Sequence, residues 1–497
     1  MDTIEKYRAY VTTSFVAGVE PVVIDRAEGA RVIDTNGRSY VDCFAGIAVN
    51  NAGHRHPRVI AAAKAQMDKL VHGASYIYHV PVVADLAERL AQITPGSLHK
   101  TFFANSGAEG IETALRLAKA YTGRSEFISL THSFHGRTLG TLAVSGNAAR
   151  KRRGGPYVPG VAFAPAPYVY RSPFGTDDPD AVAARCAEMV EWAIRYQTAG
   201  DVAAFIAEPV MGEGGIIVPP AHYFQQVKAV LDRYGILFIA DEVQTGFGRT
   251  GKLFAIEHFG VEPDILVAAN GIADGFPLAA TIARPEIADA FQPGEHLSTF
   301  GGNPVSCAAA LANIDVMLEE DLPGQAAAKG ASMLREGDII SVDAGVVYEG
   351  FVGDSAFTVG VGEISPLAQS LIEVTRKALE LGIEQMVPGK HSGDVGHAVE
   401  SYARAHGYYC THLYTGHGVG HEMHENPMLP NYGQPGQGFL LREGMTIALE
   451  PMVLVGTPQT RELRDKWTVV SRDGSLTAHQ EHTVAITKDG PMILTSL

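Results

Sequence analysis

The amino-acid sequence predicts an α/β protein whose first two thirds form a mostly parallel, buried sheet and whose last third is a separate, β-rich α+β unit. Three observations lead there. Short apolar runs in the first part each end in a polar or glycine-rich turn and are followed by a helical stretch, the pattern of strands covered on both faces by helices. The texture changes near residue 335, where REGDIISVDAG opens a β-rich region. And 497 residues exceed what one ordinary core holds, so two or more domains are expected.

The runs are Lys100–Asn105, Phe127–His132, Ala203–Glu208, Ile236–Asp241 and Ile265–Asn270. Ligands of open parallel sheets bind beyond the carboxyl ends of the strands, so the polar residues closing these runs are candidates for a site. Ser306–Leu334 reads as an alanine-rich helical stretch interrupted by Leu322-Pro323-Gly324. A boundary between about Asp321 and Gly337 divides the chain into domains 1–334 and 335–497. Past it, the apolar runs Ile339–Val347 and Phe351–Val361 flank a tight turn at Tyr348-Glu349-Gly350, and amphipathic helices follow near Ser365–Gly382 and Gly393–Gly407.

Composition narrows the function classes. A hydrophobic content of 46% with 19% charged residues is that of a globular protein, and the net charge of −16 repels a phosphate backbone and argues against nucleic acid as a partner. The basic cluster Arg150 to Arg153 sits beside Gly154 and Gly155 and reads as a solvated loop. Cys43, Cys186, Cys307 and Cys410 are far apart and form no CxxC pair, which suits reduced thiols. MDTIEKYRAY lacks the apolar core of a signal peptide, and no apolar run is long enough for a bilayer. The expectation is a cytoplasmic protein without a membrane partner.

The last third carries a set of polar residues suited to metal. A hairpin centred on Tyr348 and Glu349 would set Asp343 directly opposite Asp354, and like charges so placed are destabilising unless a cation lies between them. His417 lies among the glycines of TGHGVGH, Glu450 closes the strand Met445–Glu450, and Glu481 precedes another strand. Four carboxylates and an imidazole suit two divalent ions, whose charge they balance. The segments VDAGVVYEGFVGDSAFTVG, TGHGVGHEMHENP, ALEPMV and WTVVSRDGSLTAHQEHT closely resemble type I methionine aminopeptidases, from roughly Leu334 to Leu497. The resemblance implies a partial pita-bread fold and a pair of metals (cobalt, manganese, iron or zinc) ligated by Asp343, Asp354, His417, Glu450 and Glu481. It also implies His424 as the substrate-contacting catalytic histidine, Trp467 in the pocket for the methionine side chain, and peptide or nascent-protein N-termini as substrates. The family's first segment, with a further histidine, is absent. HEMHE is not a zincin helix, because its histidines are three apart rather than four.

The first part carries a second constellation. Asn105-Ser106-Gly107-Ala108 follows a strand and opens a helix over Glu109–Tyr121, where backbone N–H groups suit a phosphate. Phe134-His135-Gly136-Arg137 closes the next strand and offers an aromatic face. Asp241 ends ILFIAD, where a buried carboxylate can pair with a pyridinium nitrogen. NSGAEGIETA, FHGRT, AEPVMGEGG, IADEVQTGFGRTG, NGIADGFPLAA and STFGGNP resemble class III aminotransferases, most of all 4-aminobutyrate aminotransferase, from roughly Ser14 to Leu334. The resemblance implies the large domain of a fold type I pyridoxal-phosphate transferase. Ser106, Gly107 and Ala108 would take the phosphate, Phe134 would stack on the ring, Asp241 would pair with its nitrogen, and Gln244 would lie near its hydroxyl. Thr299 would reach the phosphate of a neighbouring subunit, implying a homodimer acting on a small amino-acid substrate. Where the family has its Schiff-base lysine this chain has Asn270, whose amide can neither link to the cofactor nor shuttle a proton. Lys252 belongs to a different motif, and the family's small C-terminal domain is replaced.

The chain thus reads as a fusion of two truncated enzymes. Its metal ligands are complete while its lysine is not, so the sequence favours a metal-dependent methionine aminopeptidase. A pyridoxal-phosphate aminotransferase and a non-catalytic chimera are the alternatives.

Overall fold

The structure is a computed structural model that describes residues 1–12, 22–348, 350–464 and 466–495. Ser14 and Glu349 lie outside the described residues. The chain divides into two compact units, Met1–Lys329 and Gly330–Leu497.

In the first unit seven strands form one sheet: β1 (Lys100–Ala104), β2 (Glu126–Leu130), β3 (Val161–Ala164), β4 (Val202–Ala207), β5 (Leu237–Glu242), β6 (Ile265–Ala268) and β7 (Ala279–Ala283). Their spatial order is β1-β7-β6-β5-β4-β2-β3. The pairs joining β2 to β6 are parallel, β3 runs parallel to β2, and β7 is antiparallel to both β1 and β6. Every residue of β4, β5, β6 and β7 is buried, because apolar side chains on one face enter a cluster with Phe205, Phe238 and Leu266 and those on the other face one with Ile206, Ile239 and Val267. Two covered faces explain why these strands read as unbroken apolar runs rather than alternating ones. The mostly parallel α/β architecture is as expected. The edge strand β3 and the antiparallel β7 are additions.

The helix α1 (Gly107–Thr122) starts at the end of β1 with Ser106 as its N-cap and stops at Gly123, whose φ is +68°. The stretch after residue 303 is two helices, Pro304–Glu319 and Leu322–Met333. The break falls at Glu320 and Asp321, the latter with φ +48°, rather than at Leu322-Pro323-Gly324. Pro323 sits in the first turn of its helix, where its missing N–H has no partner to lose.

In the second unit β8 (Ile339–Tyr348) and β9 (Phe351–Gly360) form a two-stranded antiparallel hairpin. Strands β10 (Gly416–Gly418), β11 (Glu425–Leu429), β12 (Thr446–Leu449), β13 (His482–Thr487) and β14 (Gly490–Ile493) form a five-stranded sheet ordered β11-β10-β12-β13-β14. The helices Pro366–Glu384 and Ser392–Ala405 pack Leu371, Leu379, Val395 and Val399 with Ile447, Leu449 and Val484 into one core. The hairpin register corrects the sequence expectation. Asp343 pairs with Ala356, and Asp354 with Gly345. The two aspartates are therefore diagonal neighbours on one face and not directly opposite. The reason is the turn: Gly350, at φ +87°, supplies a positive φ of the kind tight hairpin loops require, and Tyr348 pairs with Phe351. Among the described residues β8 pairs with β9 alone, and its residues from Ser341 on are exposed, Val346 at 61% and Tyr348 at 74%.

Candidate active sites

In the first unit the motifs meet at the carboxyl ends of β1, β2, β4, β5 and β6. Glycines mark the contacts. A Cβ on Gly107 would lie 2.6 Å from Val243 Cγ1, and one on Gly136 2.8 Å from Ala108 Cβ, so the start of α1, the Phe134–Gly136 turn and the end of β5 are packed together. A Cβ on Gly212 would fall 1.5 Å from Gln244 Oε1. The Asn270 N–H donates to the Val243 carbonyl at 3.0 Å, which places position 270 against the same strand end.

Asp241 is buried and doubly held: its Oδ2 lies 2.7 Å from His135 Nδ1, and its Oδ1 accepts from the Val243 N–H at 3.0 Å. Beneath the Phe134 turn, Glu208 accepts from the Phe134 N–H at 2.8 Å and the Gly212 N–H at 3.0 Å. Burial pushes the Glu208 carboxyl up to about 7, against the opposing pull of His135 and with the Asp241 charge adding to it. At the start of α1, Ser106 Oγ accepts from the Glu109 N–H at 3.3 Å and the Ser106 carbonyl accepts from Gly110. The preceding amides, of Gly107 and Ala108, are the donors a helix start offers an anion. The Arg137 guanidinium lies 5.3 Å from the Phe134 ring centroid.

Ser106, Gly107, Ala108, Phe134, Asp241, Gln244 and Asn270 are thus gathered at one sheet edge, whereas Thr299 lies in an exposed loop. Asn270 Nδ2 donates to the Ile47 carbonyl at 3.1 Å, and Lys252 is exposed. His135 and Glu208 were visible only as letters in FHG and AAFIAE. Their roles depend on contacts 106 and 74 residues away in sequence.

In the second unit the carboxylates and imidazoles converge. Asp354, His417 and Glu481 are all buried, and each offers a ligand atom within 4.8 Å of the others. His417 Nε2 is 3.7 Å from Asp354 Oδ2 and 3.6 Å from Glu450 Oε1. Its Nδ1 lies 3.0 Å from the Gly418 carbonyl. A carbonyl only accepts, so Nδ1 carries a proton, which leaves Nε2, the nitrogen facing the carboxylates, as the one that can ligate a metal. The backbone is fastened around this point: the Asp354 N–H donates to Thr483 Oγ1 at 2.8 Å, and the Glu481 N–H to the Ala356 carbonyl at 2.8 Å.

Burial, together with the nearby Asp354, Glu450 and Asp343 charges, pushes the Glu481 carboxyl up to about 9. Burial and Asp343 raise that of Asp354 as well. This is the conflict expected of carboxylates crowded together without a cation, and the donor set fits divalent metal. The His424 ring lies 4.4 Å from that of His417, tilted by 57°. Trp467, 87% exposed, is not among the residues buried around the carboxylates. His479 joins the cluster through Asp343 and Glu481 and was missed. Its place two residues before Glu481 in AHQEHT was the available signal.

The first unit has the fold of a type I pyridoxal-phosphate transferase, and the second unit's M24 domain has the pita-bread fold. The chain belongs to the class-III aminotransferase family, whose profile matches residues 15–341, and it also carries a match to metallopeptidase family M24 over residues 306–488. The two matches overlap over residues 306–341, which take in the helix Leu322–Met333 and all but the first two residues of Pro304–Glu319. Over 335 residues the chain is 43% identical to an acetylornithine aminotransferase from Methanothermobacter thermautotrophicus, covering 67% of this chain and 78% of that protein. It is 41% identical to a probable 4-aminobutyrate aminotransferase from Bacillus subtilis, over 60% of this chain and 69% of that one. Among solved structures, an (S)-enantioselective omega-transaminase from Thermomicrobium roseum superposes with a TM-score of 0.64 at 33% identity, covering 76% of this chain and 89% of the other. The omega-transaminase of Pseudomonas jessenii, in complex with PMP, gives a TM-score of 0.65 at 28% identity over 76% and 90%. The two families' cofactors are pyridoxal phosphate and divalent metal ions. No helix among the described residues is long and apolar enough to cross a membrane.

Proposed function

We propose that the first unit is an aminotransferase module that binds pyridoxal phosphate without a covalent anchor and takes small amino donors of the kind its relatives are named for, acetylornithine and 4-aminobutyrate. The observation that carries the reading is the buried Asp241, fixed by His135 at the strand end where the phosphate-type helix start also arrives. The pocket fits the cofactor's noncovalent contacts and lacks its covalent one. Ser106, Gly107 and Ala108 would take the phosphate, Phe134 the ring face, Gln244 the ring hydroxyl, and Asp241 a proton at the ring nitrogen. When bound, the cofactor supplies an electron sink for the donor carbon. His135 fixes the Asp241 carboxylate through its Nδ1. Asn270 can donate a hydrogen bond but cannot carry a proton between atoms, so turnover stays low.

Equilibrium dialysis should find reversible pyridoxal phosphate binding that Asp241→Ala weakens tenfold or more, equal to about 1.4 kcal/mol. Equal binding by the variant would remove the reading. Thr299 is assigned to the neighbouring subunit's phosphate, and sedimentation at micromolar concentration should show a dimer. A clean monomer counts against that assignment. A cytoplasmic location goes with buried, free Cys186, Cys307 and Cys410.

A second reading rests on the Asp354–His417–Glu481 cluster: the second unit is a methionine aminopeptidase. Asp343, Asp354, His417, Glu450 and Glu481 would hold two divalent ions, which when bound supply a Lewis acid for water and for the scissile carbonyl. His424 would donate a hydrogen bond to the peptide, and Trp467 would border the methionine side chain. Release of free methionine from a short Met-initiated peptide by the metal-loaded chain tests it.

A further inference from the structure

Around Glu481 the second unit has two imidazoles rather than one. Asp354, His417 and Glu481 form one group of converging donors, and Asp343, His479 and Glu481 form another. Each group has an aspartate and a histidine, and Glu481 is common to both. Glu450 lies between the rings: its Oε1 is 3.6 Å from His417 Nε2, and its Oε2 is 3.4 Å from His479 Nε2.

The second imidazole is not using its donors elsewhere. His479 Nε2 is fully buried and makes no hydrogen bond. Its 3.4 Å approach to Glu450 is close enough for attraction but is not aligned for donation. Nδ1 lies 4.0 Å from Asp343 Oδ2. The backbone that carries the ring is also held in place. The His479 N–H donates to Thr358 Oγ1 at 2.8 Å, and that hydroxyl donates back to the His479 carbonyl at 2.8 Å. A buried nitrogen without a partner, on a clamped backbone and facing the Glu450 carboxylate, costs free energy unless something occupies the space between them.

We propose that His479 is a metal ligand, completing with Asp343, Glu450 and Glu481 a second ion position distinct from that of His417. The inference rests on the metallopeptidase reading of this unit. Its consequence is selectivity. An all-carboxylate position suits manganese and magnesium, whereas an imidazole among the donors shifts preference to cobalt and zinc. Both positions then have one nitrogen and shared carboxylate oxygens, so this chain should discriminate against manganese at both.

The test is titration of the full chain with cobalt(II) under anaerobic conditions, followed by calorimetry and visible absorbance, with zinc and manganese in competition. The unmutated chain should bind two ions. His479→Ala should keep the first and bind the second about tenfold to a hundredfold more weakly, the range for loss of a metal-site group, and its remaining preference for zinc over manganese at that position should fall. The first ion in the same sample reports that the fold is intact. His479→Gln separates ligation from simple hydrogen bonding to Glu450, and it should behave as the alanine variant does. Two ions bound by either variant with unchanged affinity and spectrum would overturn the inference, as would loss of the first ion from both variants. An unmutated chain that binds no ion would instead overturn the metallopeptidase reading beneath it.

Discussion

Asn270→Lys should convert a chain that loses pyridoxal phosphate on gel filtration into one that keeps it through a covalent, borohydride-reducible bond at residue 270. Amino-group transfer from 4-aminobutyrate or acetylornithine should rise by about 10²- to 10⁴-fold, the contribution of a positioned proton-transfer group. The geometry makes the substitution local. The Asn270 N–H that meets the Val243 carbonyl belongs to the main chain and survives the change. Only the side-chain bond to the Ile47 carbonyl is lost, at a cost of about 1 kcal/mol. Mass spectrometry of peptides after reduction gives the answer. Reducible cofactor on another lysine of the unmutated chain, such as Lys252, would show the lysine role assigned wrongly. An Asn270→Lys chain that binds no cofactor covalently would show that position 270 does not face the pocket.

Glu481→Ala should remove both metals. Glu481 belongs to both groups of converging donors, so its loss would remove a ligand from each position that could hold an ion. Asp354→Ala should act in the same direction, while His424→Ala should leave the metal content intact and lower turnover alone. Elemental analysis after purification with manganese or cobalt measures this, and chelator should lower the melting temperature of the unmutated chain and of His424→Ala but not that of Glu481→Ala, because a ligand of the folded state stabilises it by mass action. The pH dependence has a definite sign. Metal takes the ionised carboxylate, while the Glu481 carboxyl without metal is held up to about 9. Affinity should therefore rise with pH, by up to tenfold per unit for one released proton, and level off above about 9. Stability of the metal-free chain should run the other way. A carboxyl raised above its unfolded value favours folding while protonated, so this contribution is full below about 4.5 and is lost as pH rises toward about 9. Unchanged metal content in Glu481→Ala would remove the shared-ligand assignment.

Both candidate sites are legible in the sequence because their residues close apolar strands or stand in glycine-rich turns. The ends of β1, β2, β4, β5 and β6 could be read from continuous apolar runs, and Asp241 was found by its place at one of them. What could not be read was order and register. Nothing local says that β7 inserts antiparallel between β1 and β6, since periodicity does not encode which strands become neighbours. A hairpin centred on Tyr348 and Glu349 is off by one residue, because Gly350 is the residue able to adopt the left-handed conformation there. His135 and Glu208 escaped because a buried histidine or glutamate has no signature until its distant partner is known, and His479 because it stood beside a more conspicuous Glu481.

The open side of β8 bears on how the protein can be handled. Val346, Val347, Tyr348 and Phe351 stand exposed at a hairpin tip, on a strand of ten residues with one paired side. Such an edge offers unpaired N–H and C=O groups together with β-branched and aromatic side chains, which is what another polypeptide needs to add itself as a further strand. Folded molecules can therefore associate by sheet extension without unfolding first. Losses on concentration should then grow with protein concentration more steeply than with temperature, and a lysine or proline on the outer side of β8 would be a better remedy than any gain in core stability.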